Sequence, residues 1–227
     1  MTLVAHAITP APARRPAREP GLRGLPLELS KMGDLAIWST RWEAEEKLER
    51  ADALEHHRIV ERICADRPCL PVRFGTVFAD DGLASASLEK RAPQLRESLA
   101  RVAGKSELAL TLLWRDPPAA SGEPLPASGP GRRYLEERRA EMAEREARKQ
   151  RAEALAERVI AELATERHLV WHDTCTGEAV AVSLAVLVPT PDAETRKAEL
   201  ARIAGAFSDV NAVVNGPWPP YTFAGIE

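Results

Sequence analysis

Gly104-Lys105-Ser106 is the tripeptide most suggestive of chemistry, because glycine, lysine and a hydroxyl in that order close the loops whose backbone amides cradle a phosphate. Such a loop needs another glycine five positions before the Gly-Lys pair, but Leu99 stands there, and the residues before it are patterned as a helix rather than a strand. Nucleotide binding is therefore set aside. His168, His172 and Cys175 are zinc-ligand types whose two histidines would share a face if they lay on a helix. The pattern predicts a strand and a turn there, on which the three do not converge. His56 and His57 are neighbours on a predicted helix and point about 100° apart, so one is expected to pack and the other to meet water. Cys64, Cys69 and Cys175 cannot all pair, and their spacing matches no disulfide framework, so they are expected to be reduced and partly buried. No catalytic residue, cofactor or metal site is assigned.

Two other stretches stand out by composition. Leu70-Pro71-Val72-Arg73-Phe74-Gly75-Thr76-Val77-Phe78 reads as a buried strand with a built-in break. Leu70, Val72 and Phe74 alternate onto one face, Pro71 denies a donor and so favours a sheet edge, and Gly75 permits a turn. Arg73 faces the other way, where its fork suits a carboxylate or a carbonyl. A structural ion pair is the expectation for it. Gly216-Pro217-Trp218-Pro219-Pro220-Tyr221-Thr222-Phe223 hangs three aromatics on a segment stiffened by three prolines. Such a tail either folds back between two domains, with Trp218 as its anchor, or offers surface to a partner.

Taken together, LPVRFGTVF and GPWPPYTF resemble the gas vesicle protein family GvpL/GvpF, as do Leu54-Glu55-His56, Ile59-Val60-Glu61 and Tyr134-Leu135. The resemblance covers most of the chain. It implies a non-enzymatic accessory protein of gas vesicle assembly that binds the small hydrophobic shell protein, and it implies a carboxyl-terminal domain with a modified ferredoxin fold. The residues it marks are Leu70, Pro71, Val72, Arg73, Phe74, Gly75, Gly216, Pro217, Trp218, Pro219, Pro220, Tyr221 and Phe223, in structural or interaction roles. The expected partners are the shell protein and other gas vesicle accessory proteins. The alternative is a ferredoxin-like regulatory module that binds a small molecule or nucleic acid.

Composition narrows these readings. A chain of 227 residues with 44% hydrophobic side chains can build two modest cores. Its 31 Lys and Arg against 34 Asp and Glu leave a net charge of -3, so no whole-chain field draws it to nucleic acid or an anionic membrane. The longest apolar run, 179–188, is too short to cross a bilayer, and the amino terminus lacks the charge order of a secretion signal. A cytoplasmic, gas-vesicle-associated protein is expected. The arginine-rich stretch after Gly131 invites an RNA reading, but Glu141 with Arg145 and Glu144 with Arg148 cancel the field at helical spacing. No nucleic acid and no membrane partner is expected.

The elements expected to position these residues form an α+β chain of two domains, 1–104 and 105–227. In the first, strands are predicted at Thr2 to Thr9, Leu25 to Leu29 and Asp34 to Ser39. Thr40-Arg41-Trp42-Glu43 reads as a capping box, opening a helix that runs to about Cys64. Asp80-Asp81 caps a further helix ending at Gly104, with Pro93 imposing a kink or dividing it in two. In the second domain Leu108, Leu110, Leu112 and Trp114 alternate as a strand, 117–131 reads as a linker, and a long helix follows from Arg132. Only its second half carries an apolar stripe: Ala152, Leu155, Val159 and Leu163. A hairpin, a helix with Leu200, Ile203 and Phe207 inward, and a closing strand complete the order strand, helix, strand, strand, helix, strand of a ferredoxin-like unit.

Overall fold

The computed structural model describes residues 2–12, 19–43, 47–115, 130–175 and 179–225, the side chains of 130–133 excepted. The chain forms two compact units. Met1–Glu107, Leu187–Pro191 and Pro217–Glu227 make the first; Leu108–Val186 and Asp192–Gly216 make the second.

The first unit is built on β1 (Thr2–Pro10), which is buried along nearly its whole length. It pairs antiparallel with β3 (Leu35–Trp42), and β3 pairs with β2 (Leu27–Met32). The other side of β1 carries two short strands, β4 (Leu70–Pro71) and β5 (Val77–Phe78). Val4, Ala7, Trp38 and Trp42 form a core with Ile59 and Ile63 of α1 (Arg50–Cys64). Ile8 and Ile37 instead line a cavity with Leu88 and Leu95 of α2 (Asp81–Val102). Between Ala5 and Ala7 the register with β3 slips by one, and the extra residue is His6. A bulge of this kind re-aims the side chain it carries.

No helix opens at Thr40, where the sequence pattern places one. Thr40, Arg41 and Trp42 instead continue β3, because the Thr40 hydroxyl is committed to His6 of β1 and to the buried Leu22 amide. Helix α1 starts nine residues later than the box implies, at a different box: Glu49 N–H donates to the Asp52 carboxylate at 2.7 Å, while the Glu49 side chain takes the amide of Asp52. Arg23 grips that carboxylate at 2.8 Å and holds Asp52 below the usual carboxylate range. Helix α2 runs through Pro93 as one helix, so of the two outcomes expected there the division into two does not occur. Its start is as expected, with the Asp80 carboxylate accepting from Leu83 N–H at 2.8 Å.

The second unit contains β6 (Lys105–Trp114), α3 (Pro130–Leu163), β7 (Val170–Thr174), β8 (Val180–Pro189), α4 (Ala193–Gly205) and β9 (Val210–Trp218). Several of these begin or end in the first unit's residues. The strands lie in the order β7-β8-β6-β9, and β7 and β8 form the expected antiparallel hairpin. In α3 the stripe of Ala152, Leu155, Val159 and Leu163 is buried, while Tyr134, Leu135 and Met142 of the first half are exposed, as the sequence pattern implies. The helix begins at Pro130, so the end of the predicted linker is helical, and 117–129 lie outside the described residues.

Candidate functional site

The string Leu70-Pro71-Val72-Arg73-Phe74-Gly75 lies at the edge of the first sheet. Leu70 and Pro71 pair with β1, Val72 N–H donates to the His6 carbonyl at 2.9 Å, and residues 73–76 turn, with Gly75 at φ +88°. The Arg73 carbonyl closes that turn by accepting from both the amide and the hydroxyl of Thr76. Leu70 and Val72 are buried and Phe74 is half-buried against the edge of the His56 ring. The Arg73 side chain is exposed and forms no ion pair among the described residues, so the structural pairing expected of it is absent.

A chain of buried hydrogen bonds ends on this string. His56 Nε2 lies 3.0 Å from the Val72 carbonyl, His56 Nδ1 lies 2.9 Å from His6 Nδ1, and His6 Nε2 lies 2.8 Å from Thr40 Oγ1. The Thr40 hydroxyl also accepts from Leu22 N–H at 3.1 Å. The end groups fix every proton. A carbonyl only accepts, so His56 carries its proton on Nε2 and offers a lone pair at Nδ1. His6 must then donate from Nδ1 and accept at Nε2 from the threonine. Both imidazoles are neutral: a proton added to His56 Nδ1 would face the His6 Nδ1–H, and one added to His6 Nε2 would compete with the Thr40 hydroxyl proton. Burial, then the neighbouring His56 and Arg62, push His6 down to about 3, and burial lowers His56 as well, against the pull of the Val72 carbonyl.

The second string is docked by different chemistry. Pro219, Pro220 and Phe223 are buried and Tyr221 is half-buried, whereas Trp218 is 39% exposed and Phe223 only 7%. The expected anchor is thus corrected: the indole lies on the surface at the end of β9, and the Phe223 ring takes its place. Glu107, 5% exposed, accepts from Thr222 N–H at 2.8 Å and from the Thr222 hydroxyl at 2.7 Å. Its burial raises the carboxyl above the usual range, and the Thr222 bonds partly offset this. The Tyr221 ring stacks on His57 at 5.9 Å, and burial, with Glu61 and Glu107 nearby, pushes the phenol up. Arg91 and Arg101 donate to the carbonyls of Gly225 and Phe223. Adjacent histidines of α1 therefore serve both strings, His56 the first and His57 the second.

The family model described as gas vesicle synthesis protein GvpL/GvpF matches residues 3–225. The chain belongs to the GvpL/GvpF family. Gas vesicle protein L2 of Halobacterium salinarum is 34% identical over 178 residues, covering 68% of this chain and 63% of that protein. The chain thus spans less than two thirds of that relative's length. The crystal structure of GvpF from Anabaena sp. PCC7120 has a TM-score of 0.75 at 20% identity, over 100% of this chain and 99% of that one. GvpF from Microcystis aeruginosa gives 0.72 at 18% identity over 99% of both chains. The fold is that of these GvpF structures, and the role is a gas vesicle role.

Within this GvpL/GvpF chain the remaining candidates disperse. Lys105 donates to the Arg101 carbonyl and the Ser106 hydroxyl pairs with that of Thr190. Gly104, Lys105, Ser106 and Thr190 line a cleft of about 620 Å³ together with Arg67 and Trp218. His168 stands in a short 3-10 turn, His172 in β7 and Cys175 beyond it, and no group of three or more metal-ligating side chains forms among the described residues. Cys64 and Cys69 are joined as a disulfide, correcting the expectation that all three thiols are reduced: the turn after α1 brings their Cα atoms to 5.1 Å. No described helix is long and apolar enough to cross a membrane. His6 and Glu107 escape sequence reasoning, and Thr40 reads there as a helix cap. Only His6 carries a signal, a polar side chain inside an otherwise apolar strand.

Proposed function

We propose that this protein is an accessory protein of gas vesicle assembly that binds the hydrophobic shell protein and supports nucleation or growth of the shell. The observation that carries this reading is the family string on an open sheet edge. Its backbone is tied down from behind, while Arg73 and Val77, the latter 44% exposed, face outward. Beside them Val72, Phe78, Leu88 and Leu95 line an apolar cavity of about 140 Å³. A rigid edge with apolar recesses can cover a hydrophobic segment and spare it from water. The residues proposed for this role are those marked by the resemblance, with Arg73 as a contact residue and 217–223 as the stiff margin of the surface.

Two domains divided near Gly104 and a modified ferredoxin-like carboxyl-terminal domain complete the reading. The second is supported by the strand order, in which β6 stands between β8 and β9. The experiment is a pull-down of shell protein by the full chain, run beside the Val77→Asp variant. Retention of shell protein by the parent and its loss in Val77→Asp at unchanged melting temperature is the expected result. Retention of nucleic acid or a small ligand in its place would favour the regulatory alternative.

A further inference from the structure

The sheet edges of this molecule are not equally guarded. An unpaired edge is a template for another chain, and proteins protect it with charge, proline, bulges or brevity. β2 carries Glu28, paired with Arg41, and Lys31, while β7 is five residues long and carries Asp173. β9 differs. It is nine residues long, pairs among the described strands with β6 alone, and reads Asn-Ala-Val-Val-Asn over 211–215, without a charge or a proline until Pro217.

The space beside that edge is shaped for a further strand. Ala198, Ala201 and Ala204 of α4 face Ala212 and Val214 of β9 across a trough of about 560 Å³, with Lys197 along it and Arg115 lining it. Arg115 also lines an adjoining cavity of about 380 Å³ with Arg148 and Arg151 of α3. The guanidinium groups of these last two stack on Trp114 at 5.6 and 5.1 Å, which fixes their position. Trp114 Nε1 is buried and meets no acceptor among the described residues. The two cavities hold four cations (Arg115, Arg148, Arg151, Lys197) against three carboxylates (Glu144, Glu194, Asp209), and Asp209 is already taken by Arg151 at 2.9 Å. Arg115 spends only its Nε, on Asn211 at 3.2 Å, and makes no ion pair among the described residues.

We propose that β9 takes an extended, acidic segment of a protein partner as an added strand, its alternate side chains in the alanine trough and a carboxylate at the Arg115 end. Main-chain pairing supplies affinity and the two cavities supply the choice of side chain. The site lies in the second unit and does not depend on the shell-protein reading.

The test uses the full chain with two labelled peptides, acetyl-ETVTVTE-amide and acetyl-KTVTVTK-amide, whose charged end residues share a strand face with the valines, followed by fluorescence anisotropy and amide hydrogen exchange. The acidic peptide should bind about ten-fold or more tightly than the basic one, with the preference fading in high salt, and should slow exchange at 211–215. Arg115→Gln with Arg148→Gln should weaken it about ten-fold, and Ala201→Phe, at an exposed position, should block it without touching the core. Arg196→Gln, on a residue paired with Glu199, should bind like the parent. Equal binding of both peptides, protection elsewhere than 211–215, or sedimentation as a dimer joined through β9 would overturn the proposal.

Discussion

The strings at 70–75 and 217–223 both lie in the first unit and both touch α1 through adjacent histidines, yet the buried group beneath each responds to pH in the opposite sense. Under the first string, His6 and His56 are neutral bases whose protonation burial opposes. Under the second, Glu107 is an acid whose ionisation burial opposes. The histidine contribution is complete above the unfolded value of 6.5 and is lost as pH falls from there toward about 3. The Glu107 contribution is complete below its unfolded value of 4.5 and is lost as pH rises through the raised folded value. Low pH thus weakens the first string and high pH the second. A buried titratable group can fix a surface segment at neutral pH only at the cost of sensitivity on one side.

The largest expected effect separates the strings by packing rather than by charge. Phe223 is nearly fully buried, so Phe223→Ala should cost roughly 3 to 5 kcal/mol, while Trp218→Ala, at a surface indole, should cost no more than about 1 kcal/mol. Urea denaturation of both variants measures this. An equal loss in the two would restore the indole as anchor and remove the packing difference between the strings.

Next in size is the imidazole chain. In His56→Leu the His6 Nδ1 proton and the Val72 carbonyl lose their partners, at about 1 to 3 kcal/mol for each unsatisfied group. The double variant His6→Leu with His56→Leu should also flatten the acid limb of the stability curve between about pH 3 and 6.5. Stability measured by denaturant at several pH values decides it. An acid limb as steep as the parent's would move its origin away from this pair.

A smaller change is expected at Glu107. Glu107→Gln keeps the shape and one acceptor for Thr222, so the loss should be about 1 kcal/mol at acidic pH and shrink as pH rises, because the parent is then burying a charge that the variant lacks. Unchanged pH dependence above 4.5 in the variant would show that the second string is not governed by this carboxyl.

These anchors mark where sequence pattern stops. Alternation and apolar stripes locate β1, β6, the β7–β8 hairpin and the packed half of α3, because a side chain's face follows directly from its spacing. The broken strand at 70–78 is legible too, since Pro71 and Gly75 act on their own backbone. Thr40 misleads because its hydroxyl has two possible employments, a local cap or a tertiary bond, and the choice is made by His6 and Leu22, far away in sequence. His6 is turned toward His56 by a bulge, a register event that no single strand encodes. Trp218 and Phe223 look alike as aromatics in a stiff tail. Which one is buried depends on where β9 ends, and that is set by pairing with β6.

The smallest stability effect belongs to Arg73, and it carries the most about function. Its side chain is exposed and without an ion pair among the described residues, whereas its carbonyl holds the turn through Thr76. Truncation beyond Cβ leaves that backbone bond in place, so Arg73→Ala should stay within about 0.5 kcal/mol of the parent. Thr76→Ala, which removes the hydroxyl from the same carbonyl, should destabilise more, by about 1 kcal/mol. If the string is a contact surface, the order reverses for the partner: Arg73→Ala should weaken capture of shell protein by about ten-fold, and Thr76→Ala should change it less. Thermal melting beside the shell-protein pull-down reads both quantities. Should Arg73→Ala melt several degrees lower and bind in proportion to its folded fraction, the arginine is structural, and the difference between the strings reduces to the two buried groups beneath them.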